Sequence, residues 1–336
     1  MLSAIREIRA SGITVERTPL LVPSFSSKGF WDIQNVYKTV QSLIDRPILI
    51  SAYDIFHGNI KQPSEPVGLL FLDSGGYEAG KDSDLSDYGD YVYRCQPWEQ
   101  ENLQNVTENW KSPEPTVFVS YDHPTIRVPI SEQVRQAQEF LPVHSLSVRE
   151  ILIKPESVEQ QFLDISAILQ HVDKLAEFDL IGLTEKELGR TTAERMRNIA
   201  ELRRKLDSLG ATTPIHIFGS LDTFNTMLYF VSGADVFDGL TWLRFSFSEG
   251  QTIYKYVHAS LKYGLSMDID DIDPICWSDN YQYIRQMERD MRRYVHEKSF
   301  DVFRWHSESI ETAFHEIIHM SEERWSGLFG QIGGFA

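Results

Sequence analysis

Gly233-Ala-Asp-Val-Phe-Asp-Gly-Leu-Thr-Trp-Leu-Arg244 is the stretch on which the fold turns. Asp235 and Asp238 bracket a short β-prone core, Val236-Phe237, and Asp238 falls where a strand would end. Gly239 follows it at once, and glycine lets other groups approach the backbone closely. An earlier stretch has the same build. The apolar run Leu69-Leu70-Phe71-Leu72 closes on Asp73-Ser74-Gly75-Gly76-Tyr77. Each puts a carboxylate at the C-terminal end of a strand predicted to be buried.

Six further apolar runs read as strands. They are Thr18 to Ser24, Pro47 to Asp54, Thr116 to Pro124, Glu150 to Pro155, Phe178 to Leu183 and Pro214 to Gly219. Two of them, Pro47 to Asp54 and Thr116 to Pro124, also reach an aspartate. Helical spacing predicts helices at Ile33 to Ile44, Trp98 to Trp110, Ser131 to Phe140, Val158 to Ala176, Thr192 to Leu209 and Leu221 to Ser232. The Thr192 helix is entered through a capping box, Thr191-Thr192-Ala193-Glu194. Met1 to Glu16 reads as an opening helix or lead-in strand, and Ala79 to Pro113 as a long polar insertion.

Continuous apolar strands alternating with helices indicate a parallel sheet covered on both faces. Eight of them suit a (β/α)8 TIM barrel of roughly 250 residues. The expected organisation is a barrel over 1–250 and a C-terminal α-helical extension over 251–336. Helices are predicted there at Asn280 to His296 and Ser307 to Glu323, with an acidic loop at Met267 to Asp273. The alternative is an open doubly wound sheet. It would carry a Gly-rich phosphate loop after its first strand, and Pro23-Ser24-Phe25-Ser26-Ser27 is not one.

The bulk properties narrow the class. The 336 residues are 42% hydrophobic and 24% charged, which is ordinary globular composition. No apolar run approaches the ~18 residues of a membrane span. Met1 to Glu7 lacks a signal-peptide pattern, so a cytoplasmic protein without membrane attachment is expected. Two distant cysteines, Cys95 and Cys276, exclude a disulfide framework and a Cys-rich zinc site. A net charge of −17 opposes general attraction to nucleic acid and leaves only local basic faces. Arg190 to Lys205 and Arg285 to Lys298 are candidates, though a solvated helix face is the plainer reading of each.

Barrel enzymes place their chemistry at the C-terminal ends of the strands. Here those ends carry Asp54, Asp73, Asp122, Lys154, Gly182-Leu183, Phe218-Gly219 and Asp238, with Tyr77 beside Asp73. An acid-rich mouth suits a metal or glycosyl transfer. Metal binding would bring histidines. Only His123 and His216 are near strand ends, and His216 is mid-strand, so no metal site is expected.

Leu72-Asp73-Ser74-Gly75-Gly76-Tyr77 resembles the Asp-Ser-Gly-Gly-aromatic motif of the tRNA-guanine transglycosylase family. Phe218-Gly219 and Gly233 to Asp238 resemble that family's seventh and eighth strand ends, and Thr18-Pro19 to Val22-Pro23 its first strand. Arg244 falls where the family has the arginine of a Pro-Thr-Arg turn, here Trp242-Leu243-Arg244. The likeness spans about residues 15 to 250.

The resemblance implies roles. Asp238 would be the nucleophile at C1′ of the sugar, forming a covalent glycosyl-enzyme as guanine leaves. Asp73 would be the general acid/base. Tyr77 and Phe218 would sandwich the base in a pocket that includes Ser74, Gly75 and Gly219. Asp122 would read the guanine edge, and Gly182 and Leu183 would offer backbone groups. Lys154-Pro155 stands where the family has a base-reading Gln-Gly, and Glu78 where it has Gln, so base choice is expected to differ. The family's zinc site, three cysteines and a histidine beyond the eighth strand, cannot form with Cys276 alone.

The expected activity is therefore base exchange, replacing guanine in a polynucleotide with a 7-deazaguanine, with DNA placed slightly above tRNA. The expected partners are that nucleic acid, the free 7-deazaguanine base, and a protein partner or a second copy as homodimer. No cofactor is expected. Two other readings stay open: a nucleosidase that releases the base to water, and a non-catalytic partner subunit.

Overall fold

The structure is a computed structural model that describes residues 2–63, 68–80, 93–123 and 125–318. Parts of the sequence reading that fall on 1, 64–67, 81–92, 124 and 319–336 lie outside the described residues.

Twelve short strands are described. β1 (Glu7–Ala10) and β2 (Ile13–Arg17) form an antiparallel hairpin. The barrel strands are β3 (Leu20–Phe25), β4 (Ile48–Ser51), β5 (Leu70–Asp73), β6 (Thr116–Val119), β7 (Ser147–Ile153), β8 (Leu180–Thr184), β9 (Ile215–Phe218) and β10 (Val236–Gly239). They close in chain order, all parallel, with β10 pairing to β3. A second hairpin, β11 (Ser246–Ser248) and β12 (Gln251–Ile253), follows. The eight apolar runs thus make the closed eight-stranded parallel barrel that their pattern predicts.

Alternation along each strand sorts the side chains into two cores. Leu20, Val22, Leu49, Phe71, Val117, Val119, Val148, Leu152, Leu180 and Val236 fill the barrel interior. Their neighbours Leu21, Ile50, Leu72, Phe118, Ile151, Leu183, Ile217 and Phe237 face the surrounding helices. Ile8 and Ala10 of the first hairpin join the interior set. Of the two readings of the opening segment, helix or lead-in strand, the strand holds, folded back as a hairpin. Its two-residue turn, Ser11-Gly12, has φ of 49° and 84°, the left-handed geometry such turns require.

Several boundaries move for identifiable reasons. β4 stops at Ser51, whose Oγ accepts from Tyr53 N and starts a helix, Ala52–Phe56. Asp54 therefore sits on a helix rather than at a strand end. It is fully buried and accepts from Ser27 N (2.8 Å) and Asn59 Nδ2 (3.0 Å). The helix read over Val158 to Ala176 is two short ones, Ile165–Gln170 and Val172–Leu175. Asp164 caps the first by accepting from Ser166 N and Ala167 N. The capping box at Thr191 and Glu194 forms as its sequence predicts, opening the helix Thr192–Ser208. β10 ends at Gly239, and Thr241–Arg244 is a helical turn.

Beyond the barrel, the hairpin β11–β12 spans the boundary expected at residue 250. The acidic stretch read as a loop opens the helix Ile269–Glu297. Asp268 caps it, and Asp270 and Asp271 sit in its first turn, where carboxylates oppose the positive end of the helix dipole. A helix also covers residues 307–318. The long helix lies back on the barrel. Trp277 Nε1 donates to Leu243 O (3.0 Å), and Asn280 bridges Trp242 O (2.6 Å) and Phe247 N (2.7 Å). Its apolar face, including Tyr281, Ile284, Met287 and Met291, belongs to the same outer core as the barrel helices. No described helix is long and apolar enough to cross a membrane.

Of the two basic stretches, the first is not a simple solvated face. Arg203 is wholly buried against Asp235, and Arg195 pairs with Glu185 at 2.8 Å.

Candidate functional site

A cavity of about 390 Å³ opens at the C-terminal ends of the barrel strands. Asp73, Ser74, Tyr77, Asp122, Lys154, Phe218, Gly219, Asp238 and Arg244 line it. Nine of the residues singled out from sequence thus meet in one place, although β5 and β10 are far apart in the chain. Among the described residues, Gly75, Gly182 and Leu183 do not line it. Gly75 is packed behind it against Trp98 and Tyr53. Leu183 is buried in the outer core. Gly182 lies under the ring of Phe218, where a Cβ would stand 2.6 Å from Cε2.

Asp238 is held on both oxygens. Ser24 Oγ, on the neighbouring strand β3, donates to Oδ2 (2.7 Å) and itself accepts from Gly239 N (3.0 Å). Gly219 N donates to Oδ1 (3.0 Å). Gly219 has φ of 79°, so only glycine aims this N–H without backbone strain. His216 Nε2 lies 3.3 Å from the same Oδ1, an ion-pair contact rather than an aligned hydrogen bond.

Asp73 ends β5 almost buried, at 8% exposure. Burial, then the neighbouring carboxylates of Asp122 and Asp238, push its carboxyl up to about 7. Asp122 follows β6 and accepts from Ser74 Oγ. Lys154 Nζ stands 3.7 Å from Asp122 Oδ2, pairs with Glu187 at 2.7 Å and donates to Thr184 Oγ1 (3.1 Å). Gly76 makes room for Asp122, because a Cβ there would run into its carboxylate.

The two aromatics differ in setting. Tyr77 is 37% exposed. Arg244 Nη2 donates to its hydroxyl (3.1 Å), and Lys28 Nζ lies 4.6 Å from its ring centre while donating to Tyr77 O (2.8 Å). Phe218 is nearly buried and stacks on His216, with ring centres 3.9 Å apart.

Three acidic or basic groups escaped the strand-end reading. Glu78 accepts from Ser26 Oγ and from Ser51 Oγ (2.8 Å). Burial, then Asp54 and Asp73, push its carboxyl up to about 8. Glu150 and His216 are wholly buried, with Nδ1 of the histidine 2.8 Å from Glu150 Oε1. The missed signal is strand parity. Glu150 precedes Leu152 and Lys154 by two and four positions, and His216 precedes Phe218 by two, so all point inward. Reading His216 as merely mid-strand overlooked this.

Among the described residues, no group of three or more His, Cys, Asp or Glu side chains is placed to hold a metal ion. The chain matches no protein-family model and no curated protein. The site residues themselves carry the functional reading.

Proposed function

We propose that the protein catalyses base exchange on a polynucleotide, with Asp238 as nucleophile and Asp73 as acid/base. One observation carries the reading: two aspartates at one barrel mouth occupy opposite environments. Asp238 accepts from Ser24 Oγ and Gly219 N with His216 Nε2 at 3.3 Å, whereas burial, then neighbouring carboxylates, hold the proton of Asp73 to about 7. A carboxylate held by donors beside a carboxyl group that keeps its proton suits nucleophile and acid/base roles in retaining glycosyl transfer.

The steps balance. An Asp238 oxygen attacks C1′ of the sugar, the C1′–N bond to guanine breaks, and Asp73 gives its proton to the departing base. Asp73, now a carboxylate, takes a proton from the incoming 7-deazaguanine. That nitrogen attacks C1′, and the bond to Asp238 breaks. Splitting one displacement into two lowers each barrier. Tyr77 and Phe218 supply aromatic surface for a flipped-out base. Lys28, Arg127, Lys154, Lys186 and Arg244 also line the cavity, together with the carboxylates of Asp73, Glu78, Asp122, Glu185, Glu187 and Asp238, so the mouth is mixed in charge. The cations among them suit contacts to a phosphate.

DNA is favoured over tRNA because the chain cannot build the zinc site of the tRNA-acting family. Hydrolysis is the second reading. The cavity volume suits a single nucleoside, and the acidic surface suits a small substrate.

The test is incorporation of labelled guanine into duplex DNA and bulk tRNA, with Asp238→Ala beside the wild type. Label in DNA with the wild type alone supports the reading. Label incorporated by the variant refutes the nucleophile. Free base without incorporation points to hydrolysis.

A further inference from the structure

Behind Asp238 lies a second layer of charge that the two-aspartate scheme does not use. Glu150 on β7 and His216 on β9 are both wholly buried, and β8 runs between them. Gly182 of β8 makes the contact feasible, since a Cβ there would come within 3.0 Å of Glu150 Oε1. The imidazole is sandwiched by function as well as by packing: Nδ1 is 2.8 Å from Glu150 Oε1 and Nε2 is 3.3 Å from Asp238 Oδ1. Phe218 stacks on one side of the ring, and Phe71 of β5 meets it edge-on at 5.5 Å.

We propose that Glu150 and His216 are a positioning pair that keeps a protonated imidazole against Oδ1 of Asp238, directs attack to Oδ2, and assists departure of Asp238 in the second half of the reaction. The role rests on the base-exchange reading above.

The division between the oxygens follows from the donors. Oδ1 meets Gly219 N and His216 Nε2, while Oδ2 meets Ser24 Oγ. Oδ2 keeps more of its lone-pair space for C1′. Once the ester forms, Asp238 has lost its charge, and an imidazolium facing it alone would lose its counter-ion. Glu150 supplies a second one that the chemistry leaves untouched. His216 then stays charged and donates to the ester's Oδ1, where negative charge returns as the sugar leaves. Fixed donors aimed at developing charge are among the strongest catalytic devices.

Burial works against charge on His216, but Glu150 and then Asp238 overcome it and hold the ring up at about 9. Burial also pushes the Glu150 carboxyl up, against the pull of His216, and the 2.8 Å contact between them is the geometry that favours the charged pair. Those two carboxylates reach it from β7 and β10, while β5 presents the Phe71 ring and β8 presents Gly182.

The first experiment reads the proton directly. Nitrogen-15 NMR of histidine-labelled wild type, recorded at pH 8 without substrate, should show one buried histidine protonated on both nitrogens, assigned by its loss in His216→Gln. In Glu150→Gln the ring should be neutral at that pH. The second experiment follows the covalent adduct on a guanine-containing oligonucleotide. Glu150→Gln should slow release of the adduct about 10²-fold, more than it slows formation. The alkaline limb of release should move from near pH 9 to lower pH.

A neutral His216 in the wild type at pH 8 overturns the pair outright. Equal slowing of both half-reactions, with an unmoved pH limb, reduces it to a structural contact. A wild type that forms no adduct and exchanges no base overturns the base-exchange reading instead. The NMR result would still decide whether the pair holds its proton.

Discussion

Asp235 and Asp238 stand at opposite ends of one barrel strand, and they face different worlds. Asp235 precedes β10 and is buried in the outer layer. It accepts from Arg6 Nη1 (2.7 Å), Arg203 Nη2 (2.6 Å) and Ile215 N (2.8 Å). Asp238, three positions on and of opposite parity, turns inward to the cavity. The first pins two arginines, the N-terminal lead and the helix Thr192–Ser208, to the base of the barrel.

That contrast predicts separable phenotypes. Asp235→Ala leaves two buried guanidinium groups short of a partner and should cost about 3–5 kcal/mol. Denaturant unfolding should show the loss, while exchange per folded molecule stays near wild type. Asp238→Ala should do the reverse. Exchange should fall about 10⁴-fold or more, and no adduct should survive denaturing electrophoresis.

In the proposed base exchange, Asp73 would set a pH dependence for the first half-reaction. Departure of guanine would need its proton, so that rate should fall as pH rises through about 7. Single-turnover adduct formation from pH 5 to 9 is the measurement. A rate that climbs across this window would remove Asp73 from the acid's role. Asp73→Asn should abolish the limb and slow the step.

Glu78 makes a stability prediction with a definite sign. Its folded value, about 8, lies above the ordinary 4.5, so its stabilising contribution is complete below that ordinary value and is lost as pH rises through 8. Glu78→Gln removes the ionisation and should raise stability by on the order of 4 kcal/mol more at pH 8.5 than at pH 5. Thermal unfolding at the two pH values tests it. An equal change at both would mean that packing, not charge, dominates there.

Gly76→Ala should damage binding more than folding. The new methyl meets the end of the Asp122 side chain, which can turn aside at small cost to stability. Asp122 would then leave Ser74 and the cavity wall. A several-fold rise in KM, with the unfolding midpoint nearly unchanged, is expected. A large drop in midpoint with normal KM would contradict it.

Sequence alone determined the barrel and one layer of its site. A parallel barrel strand is buried on both faces, so Leu70-Phe71-Leu72 or Ile215 to Phe218 reads as a short apolar run, and eight such runs specify the closure. Asp73 and Asp238 were legible because glycine and an ended strand mark a barrel mouth. The second layer was not. Glu150 and His216 lie 66 positions apart in sequence, and nothing local pairs them. Parallel pairing of β8 with β7 on one side and β9 on the other brings them to either side of Gly182. The fate of Asp54 was likewise decided in three dimensions, where Ser51 turns the chain into a helix and Ser27 and Asn59 claim the carboxylate. Alternation reports which way a side chain points. Which distant side chain meets it depends on how the strands are arranged in space, and in this protein that arrangement put a buried histidine behind Asp238.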